Sequence, residues 1–276
     1  MTSFDLHTHS TASDGTLPPA QLVEQAASAG IAVLALTDHD TLSGIAEAQR
    51  AAAAHGITLW PGVEVSVTWK RLTVHIVGLR VDPENRALNQ GLAGLQEFRQ
   101  WRALEIGRRL EQKGIVGAFA GAQALANSAL ISRTHFARFL HQHGYAKEER
   151  KVYQHYLTHG KPGYVAGEWA TLDDALSWIH AAGGQAVVAH PARYRMTRTK
   201  LKQLLKEFAT LGGAGIEVVS GSHGPQESAT LAQLAGEFGL AGSIGSDYHG
   251  PEGSGLELGH LPPLPSGVRP IWQPVE

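Results

Sequence analysis

The sequence predicts an α/β protein, a closed or nearly closed β/α barrel that carries a mostly helical insertion. Two features of the 276-residue chain point there. Seven short apolar runs bounded by turn residues read as buried strands, with helix-like sequence between many of them. From about Leu88 to Glu168 that rhythm stops and helical periodicity replaces it. The alternative is an open doubly wound sheet, but no glycine-rich phosphate fingerprint follows the first strand.

The expected strands are Phe4–Leu6, Ile31–Leu36, Thr58–Val67, Leu72–Leu79, Gln185–Ala189, Gly215–Val219 and Ala241–Ile244. Their alternation with helices implies a largely parallel sheet. Helix Pro18–Ala29 starts on prolines and stops at Gly30, and Thr41–His55 starts on a capping Thr or Asp and stops at Gly56. Asp173–Ala182 ends in Gly183-Gly184, and Glu227–Phe238 is followed by Gly239. In the insertion, Leu88, Leu92, Leu95 and Phe98 recur at helical steps, and Trp101, Leu104 and Leu110 continue one long helix. Shorter helices follow around His135–His143 and Glu148–Thr158. Residues 1–95 and 169–276 are therefore assigned to the barrel and 96–168 to the insertion. The tail after Gly259 holds five prolines and is expected to wrap the surface irregularly.

Composition excludes several classes. Hydrophobic residues at 43% and charged residues at 17% describe an ordinary globular chain with a substantial core. No apolar run approaches the roughly 20 residues that span a bilayer. The N-terminal segment lacks the basic start and apolar stretch of a signal peptide, and cysteine is absent, which excludes disulfides and Cys-based zinc sites. A cytoplasmic protein is expected, with no membrane association and no obligate protein partner. A net charge of −2 gives no broad polyanion-binding surface. The unusual count is 15 histidines against 8 lysines, because histidine is the commonest metal ligand.

Position decides what those histidines mean. His7 and His9 lie two apart at the end of the first strand, so both side chains point to one side and can grip one ion. They read equally as surface polar residues beyond a strand. Asp14 follows in a turn, where a cap is the simpler reading. The second strand delivers Asp38, His39 and Asp40 at its C-terminal end, where parallel α/β folds build their sites. His39 is the preferred ligand, and one of the two aspartates can serve as a helix cap. Glu64 sits inside a β-branched run, where a lone carboxylate is costly and a metal bridge neutralises it. His75 raises the same question on the next strand. His190 follows the fifth strand, with Pro191 ending that strand, and Asp247 and His249 follow the last, again two apart. Five strands that each deliver such residues form a constellation that chance explains poorly.

The segments His7–Thr16, Leu36–Asp40, Gly62–Ser66, Val74–Gly78, Val187–Pro191 and Gly245–His249 resemble, in order, the motif series of the polymerase and histidinol phosphatase (PHP) family. The resemblance covers residues 3–85 and 170–255. It implies a distorted seven-stranded TIM-like β/α barrel and a trinuclear metal site. Carried over motif by motif, the metal ligands are His7, His9, Asp14, His39, Glu64, His75, His190, Asp247 and His249. Asp14 stands where some members carry His, which favours Mn²⁺, with Fe²⁺ and Zn²⁺ also admitted by a sulfur-free donor set.

The long insertion most resembles the nucleotide-acting branch of that family, the 3′,5′-nucleoside bisphosphate phosphatases and small 5′–3′ exoribonucleases. That likeness implies removal of the 3′-phosphate of a nucleoside 3′,5′-bisphosphate, or trimming of short 5′-phosphorylated RNA, with the insertion as substrate cap. Ser132, Arg133 and His135 look like the branch's phosphate-binding segment. Arg193 is placed for the same work, because a guanidinium makes paired bonds to phosphate oxygens. His223, after the sixth strand, is the candidate to protonate the leaving alkoxide. Trp101, Tyr145, Tyr153, Tyr156 and Trp169 are available to stack on a base or to fill a core. The competing readings are a phosphatase of a small non-nucleotide ester such as histidinol phosphate, and a non-catalytic module. An amidohydrolase without a phosphate substrate is disfavoured by Arg133 and Arg193.

Overall fold

In the computed structural model, residues 3–126, 130–194, 196–251 and 256–273 are described. Strand β1 (Phe4–Thr8) leads through α1 (Pro19–Ser28) to β2 (Val33–Leu36), and α2 (Ile45–His55) leads on to β3 (Thr58–Trp69) and β4 (Leu72–Leu79). Four helices follow: α3 (Arg86–Glu111), α4 (Ala118–Leu125), α5 (Arg133–Gln142) and the short α6 (Glu149–Val152), which runs on into a π-turn over Tyr153–Leu157. Then come α7 (Leu172–Ala181), β5 (Gln185–Val188), α8 (Arg198–Thr210), β6 (Gly215–Ser220), α9 (Pro225–Glu237) and β7 (Ala241–Gly245).

The local signals act where they were read. Pro19 opens α1, where its missing N–H has no helical partner to lose, and the chain leaves through Gly30 at φ 77°. Ser132 and Thr171 open α5 and α7 with capping boxes. Helix α2 begins at Ile45 rather than Thr41, because Asp38 and Asp40 are engaged elsewhere and neither caps it. Helices α4 and α8 were not among the expected ones. In α8, Leu201, Leu204, Leu205 and Phe208 carry the helical spacing that reveals it.

The seven strands lie side by side in chain order. The sheet is mixed. β1, β2 and β3 run parallel, as do β5, β6 and β7, but β4 is antiparallel to both of its neighbours. The reason lies in the connection: β3 and β4 are joined by Lys70-Arg71 alone, both at positive φ, whereas a parallel pair needs a crossover of about a dozen residues.

The barrel nearly closes between β7 and β1. Past the strand ends, the Asp247 N–H donates to the His7 carbonyl and the His9 N–H to the Tyr248 carbonyl, both at 2.9 Å. At the other end of β7 the proline-rich tail completes the seam, which corrects the expectation of an irregular surface wrap. Gly242 exchanges hydrogen bonds with Arg269 and Ile271, Ile271 is buried inside the barrel with Leu6 and Ala241, and Trp272 stacks on Phe4 at 4.1 Å.

Helix α3, about 39 Å long at 1.5 Å per residue, belongs to two cores. Leu88, Leu92 and Leu95 pack with the sheet, α7 and α8, whereas Ala103, Ile106 and Leu110 pack with Phe136, Leu140 and Val152 in a separate apolar cluster. No helix among the described residues is long and apolar enough to cross a membrane. Phe136 is fully buried at the centre of that second cluster. Phe136→Ala is expected to destabilise the protein by about 3–5 kcal/mol in denaturant unfolding; a loss below about 1 kcal/mol would show that the cluster does not act as a core.

Candidate metal centre

Each ligand-competent residue is placed by a strand or by the turn directly after one. His7 and His9 leave β1 on the same side and are fully buried, with their Nε2 atoms 3.0 Å apart. Two nitrogens about 2.1 Å from one ion and at right angles around it stand about 3 Å apart. Glu64 and His75 meet because β3 and β4 are antiparallel. Ser66 pairs with His75 and Glu64 with Val77, so His75 lies diagonal to Glu64 on one face and its Nδ1 comes to 2.8 Å from Glu64 Oε1. His190 follows β5, and its Nε2 reaches the same oxygen at 2.9 Å. His39, beyond β2, brings Nδ1 to 2.7 Å from Glu64 Oε2, while the Nε2 atoms of His7 and His9 stand 3.4 Å from that oxygen. Asp247 Oδ1 approaches His9 at 3.2 Å, and Asp14 Oδ1 approaches His249 at 3.2 Å.

All nine expected ligands therefore surround one point at the barrel mouth. Eight of them fall into three overlapping groups whose donor atoms lie within 4.8 Å of one another: His9, Asp14, His39 and His249; His7, His9, Glu64 and Asp247; and His39, Glu64 and His75. The ninth, His190, adjoins the last group through Glu64. The donor set fits divalent cations on a specific observation. His39 Nδ1 and Glu64 Oε2 are buried 2.7 Å apart, yet neither has the alignment of a hydrogen bond. Such convergence without bonding suits ligands aimed at a third atom.

The charges are mutually dependent. Burial alone raises a carboxyl pKa, but the imidazoles of His75, His39 and His7 hold Glu64 well below the usual carboxylate range. His39 and His249 do the same for Asp14, and His249 and His7 for Asp247. Burial, with His249 and His39 nearby, pushes His9 down to about 3. Against burial, Asp14 and Asp247 raise His249 to about 9.

A second layer was missed in the sequence. Glu217, buried on β6, accepts from His7 Nδ1 at 2.6 Å and from the His190 N–H at 2.5 Å, so one carboxylate orients two ligands. It lies in a buried strand run, the same signal that singled out Glu64. Asp38 accepts from Ser10 and Ser13 and so holds the turn that carries Asp14. Asp40 accepts from the Ser66 N–H at 2.7 Å and from Arg99 Nε at 2.6 Å. Asp40, His190 and Asp247 all have positive φ, a strain of about 1–3 kcal/mol each that persists only where surroundings enforce it. Gly245 is required where β7 passes β1, since a Cβ there would meet His7 Cβ at 2.3 Å.

The expected substrate residues are placed less uniformly. A cavity of about 160 Å³ opens on the metal centre, lined by Ser132, Arg133 and Arg193 together with Arg99, Arg102 and Trp169, among others. Ser132 Oγ donates to Asp14 Oδ2 at 2.9 Å, and Arg193 pairs with Asp247. His135 lies buried outside the lining, where its Nδ1 accepts the Ser132 N–H at 3.0 Å and holds that segment in shape. His223 departs from the expectation. Its Nε2 accepts the Ala192 N–H and its Nδ1 faces the Val218 carbonyl, so in this tautomer no ring proton points at the cavity. Of the aromatic residues, Tyr153 and Trp169 line the cavity, Tyr156 packs on the insertion core, and Trp101 and Tyr145 are exposed. A larger cleft of about 800 Å³ adjoins it and shares Thr134, Tyr153, Arg193, Asp247 and His249.

Comparison with known proteins places this arrangement. The sequence pattern of the PHP domain matches residues 5–220. The chain is 50% identical to the 3′,5′-nucleoside bisphosphate phosphatase of Chromobacterium violaceum, over 100% of this chain and 97% of that protein. It is 44% identical to a 5′-3′ exoribonuclease of Haemophilus influenzae, over 98% of each. Its fold matches the crystal structure of a Bifidobacterium adolescentis protein described as a metal-dependent phosphoesterase, with a TM-score of 0.83, 26% identity, and coverage of 93% of this chain and 91% of that one. With this motif order, this barrel and these relatives, the chain belongs to the PHP domain family.

Proposed function

We propose that the chain is a metal-dependent phosphoesterase that removes the 3′-phosphate of nucleoside 3′,5′-bisphosphates and, by the same chemistry, trims short 5′-phosphorylated RNA. The observation that carries this reading is one cavity in which a His, Asp and Glu cluster meets the guanidinium groups of Arg133 and Arg193. The two relatives support the substrate class, one a bisphosphate phosphatase and the other an exoribonuclease. The adjoining cleft of about 800 Å³ is of a size that takes a nucleoside or a short strand, and a small phosphomonoester has no use for it.

Divalent cations held by the three groups and His190, three ions in this reading with Mn²⁺ preferred over Fe²⁺ and Zn²⁺, supply positive charge for the phosphoryl oxygens and make water acidic enough to attack near neutral pH. The remaining roles belong to the chain. Glu217 holds the His7 ring with Nε2 turned towards His9 and Glu64. Arg133 offers its fork to the phosphate. Ser132, tied to Asp14, and His135, tied to Ser132, keep Arg133 in place. Arg193 lies where the two cavities meet and orients the ester. His223 supports the turn that carries Arg193 by accepting the Ala192 N–H. Residues 96–168 act as the cap that closes over the substrate.

Metal-free protein reloaded with Mn²⁺ is expected to release phosphate from adenosine 3′,5′-bisphosphate, and His7→Ala is expected to lose at least about 100-fold in kcat/KM. Turnover of histidinol phosphate with none of the bisphosphate or of a 5′-phosphorylated RNA would replace the nucleotide reading. Glu217→Gln keeps the shape of the side chain but weakens its grip on His7. It should lower Mn²⁺ affinity about 10- to 100-fold in a chelator competition, and unchanged affinity would remove Glu217 from the metal centre.

A further inference from the structure

Four guanidinium groups enter the metal cavity, and they are not equivalent. Arg99 is neutralised by Asp40, with Nε 2.6 Å from Oδ2, and its Nη2 donates to Ser66 Oγ at 2.9 Å. Arg193 is neutralised by Asp247. Arg102 and Arg133 pair with no carboxylate among the described residues.

Arg102 is the more revealing of the two. It comes from α3 and is only 8% exposed. Its Nε and Nη2 both donate to one acceptor, the Val165 carbonyl, at 3.1 and 2.9 Å, and its Nη1 makes no hydrogen bond among the described residues. Its guanidinium lies 5.4 Å from the Trp169 ring centre, with Arg99 5.1 Å from the same ring. Burial and the nearby charges of Arg133 and Arg99 disfavour its cationic form. A buried cation beside like charges, bonded only to a carbonyl, is a costly arrangement unless an anion completes it.

We infer that Arg102 and Arg133 form a second anion subsite, which takes the phosphate of a nucleoside bisphosphate that is not hydrolysed. The inference rests on the function proposed above. A phosphate monoester carries about −1.5 to −2 charges near neutral pH, which two arginine forks match. The scissile phosphate belongs at the His, Asp and Glu groups, where cations balance it. The other phosphate has no such partner. Arg102 supplies one from the cap, so substrates that carry both phosphates are selected over those that carry one.

The test compares adenosine 3′,5′-bisphosphate with adenosine 3′-monophosphate on the Mn²⁺-loaded protein. Arg102→Ala is expected to lower the ratio of kcat/KM for the bisphosphate over the monophosphate about 10- to 100-fold. Arg102→Lys, which keeps the charge without the fork and spares the contact region of Val165, should give a smaller loss in the same direction. Calorimetry on metal-free protein should show the affinity for the bisphosphate weakened at least about tenfold in Arg102→Ala. An unchanged ratio in both variants, or equal losses on the two substrates, would overturn the subsite. Equal losses would give Arg102 to the scissile phosphate or to holding the cap. If the unsubstituted protein turns over neither nucleotide, the functional reading itself fails and the subsite falls with it.

Discussion

A carboxylate with no solvent exposure sits at the mouth of the barrel, and much of the structure serves to make that tolerable. Glu64 is surrounded by the ring nitrogens of His7, His9, His39, His75 and His190 at 2.7 to 3.4 Å. Five separate segments must arrive at one point for this, and a barrel is the fold that brings strand ends together in a ring. The antiparallel hairpin of β3 and β4 is part of the same solution. A parallel β4 would put a crossover helix between Glu64 and His75, whereas the two-residue turn sets them diagonally across one ladder.

The cap is tied to this centre through two of its neighbours. On one side, Asp40 follows the ligand His39, and it holds Arg99 while its carbonyl accepts from Gln96 of α3 at 2.8 Å. On the other, the ligand Asp14 accepts from Ser132, the residue that caps α5, and its carbonyl accepts from Arg138 at 2.9 Å. Any shift of α3 or α5 is thus transmitted to residues at or beside the metal ligands. Helix α3 adds stiffness, because its first half is fixed in the barrel core and its second half in the core of the insertion.

The barrel, its seven strands and the nine convergent residues were legible in the sequence for a physical reason. Strand periodicity sends alternate residues to one side, and ionisable groups at the ends of apolar runs have few structural uses. The hairpin was legible too, since only four residues separate the expected strands, but the alternation of strands and helices hid it. Glu217 carried the same signal as Glu64 and went unread because no histidine motif flanks it. Arg99 and Arg102 could not be read, because on a long helix rich in charge nothing in spacing separates a buried guanidinium from a solvated one. His223 shows the converse limit. It follows a strand as a catalytic residue would, and only the contacts of its two nitrogens reveal a supporting role. The tail's prolines suggested irregular chain, while the burial of Ile271 and the stacking of Trp272 on Phe4 depend on a seam that only the closed sheet creates.

Charge balance gives the last step. With its buried imidazoles neutral, as ligation requires, the centre holds the uncompensated carboxylates of Asp14 and Glu64 beside an Asp247 that Arg193 already partners. That imbalance is negative and is relieved by cations. A few residues away, the same cavity holds Arg102 and Arg133 with no carboxylate for either, an imbalance of the opposite sign. If one excess were meant to cancel the other, the two would be paired directly, as Arg99 is with Asp40. They are kept apart instead, Arg102 by its bonds to the Val165 carbonyl and Asp14 by its bonds to Ser132 and its approach to His249. A site that holds both signs unpaired in one cavity is complementary to a ligand that is itself anionic at two places and meets cations at one of them.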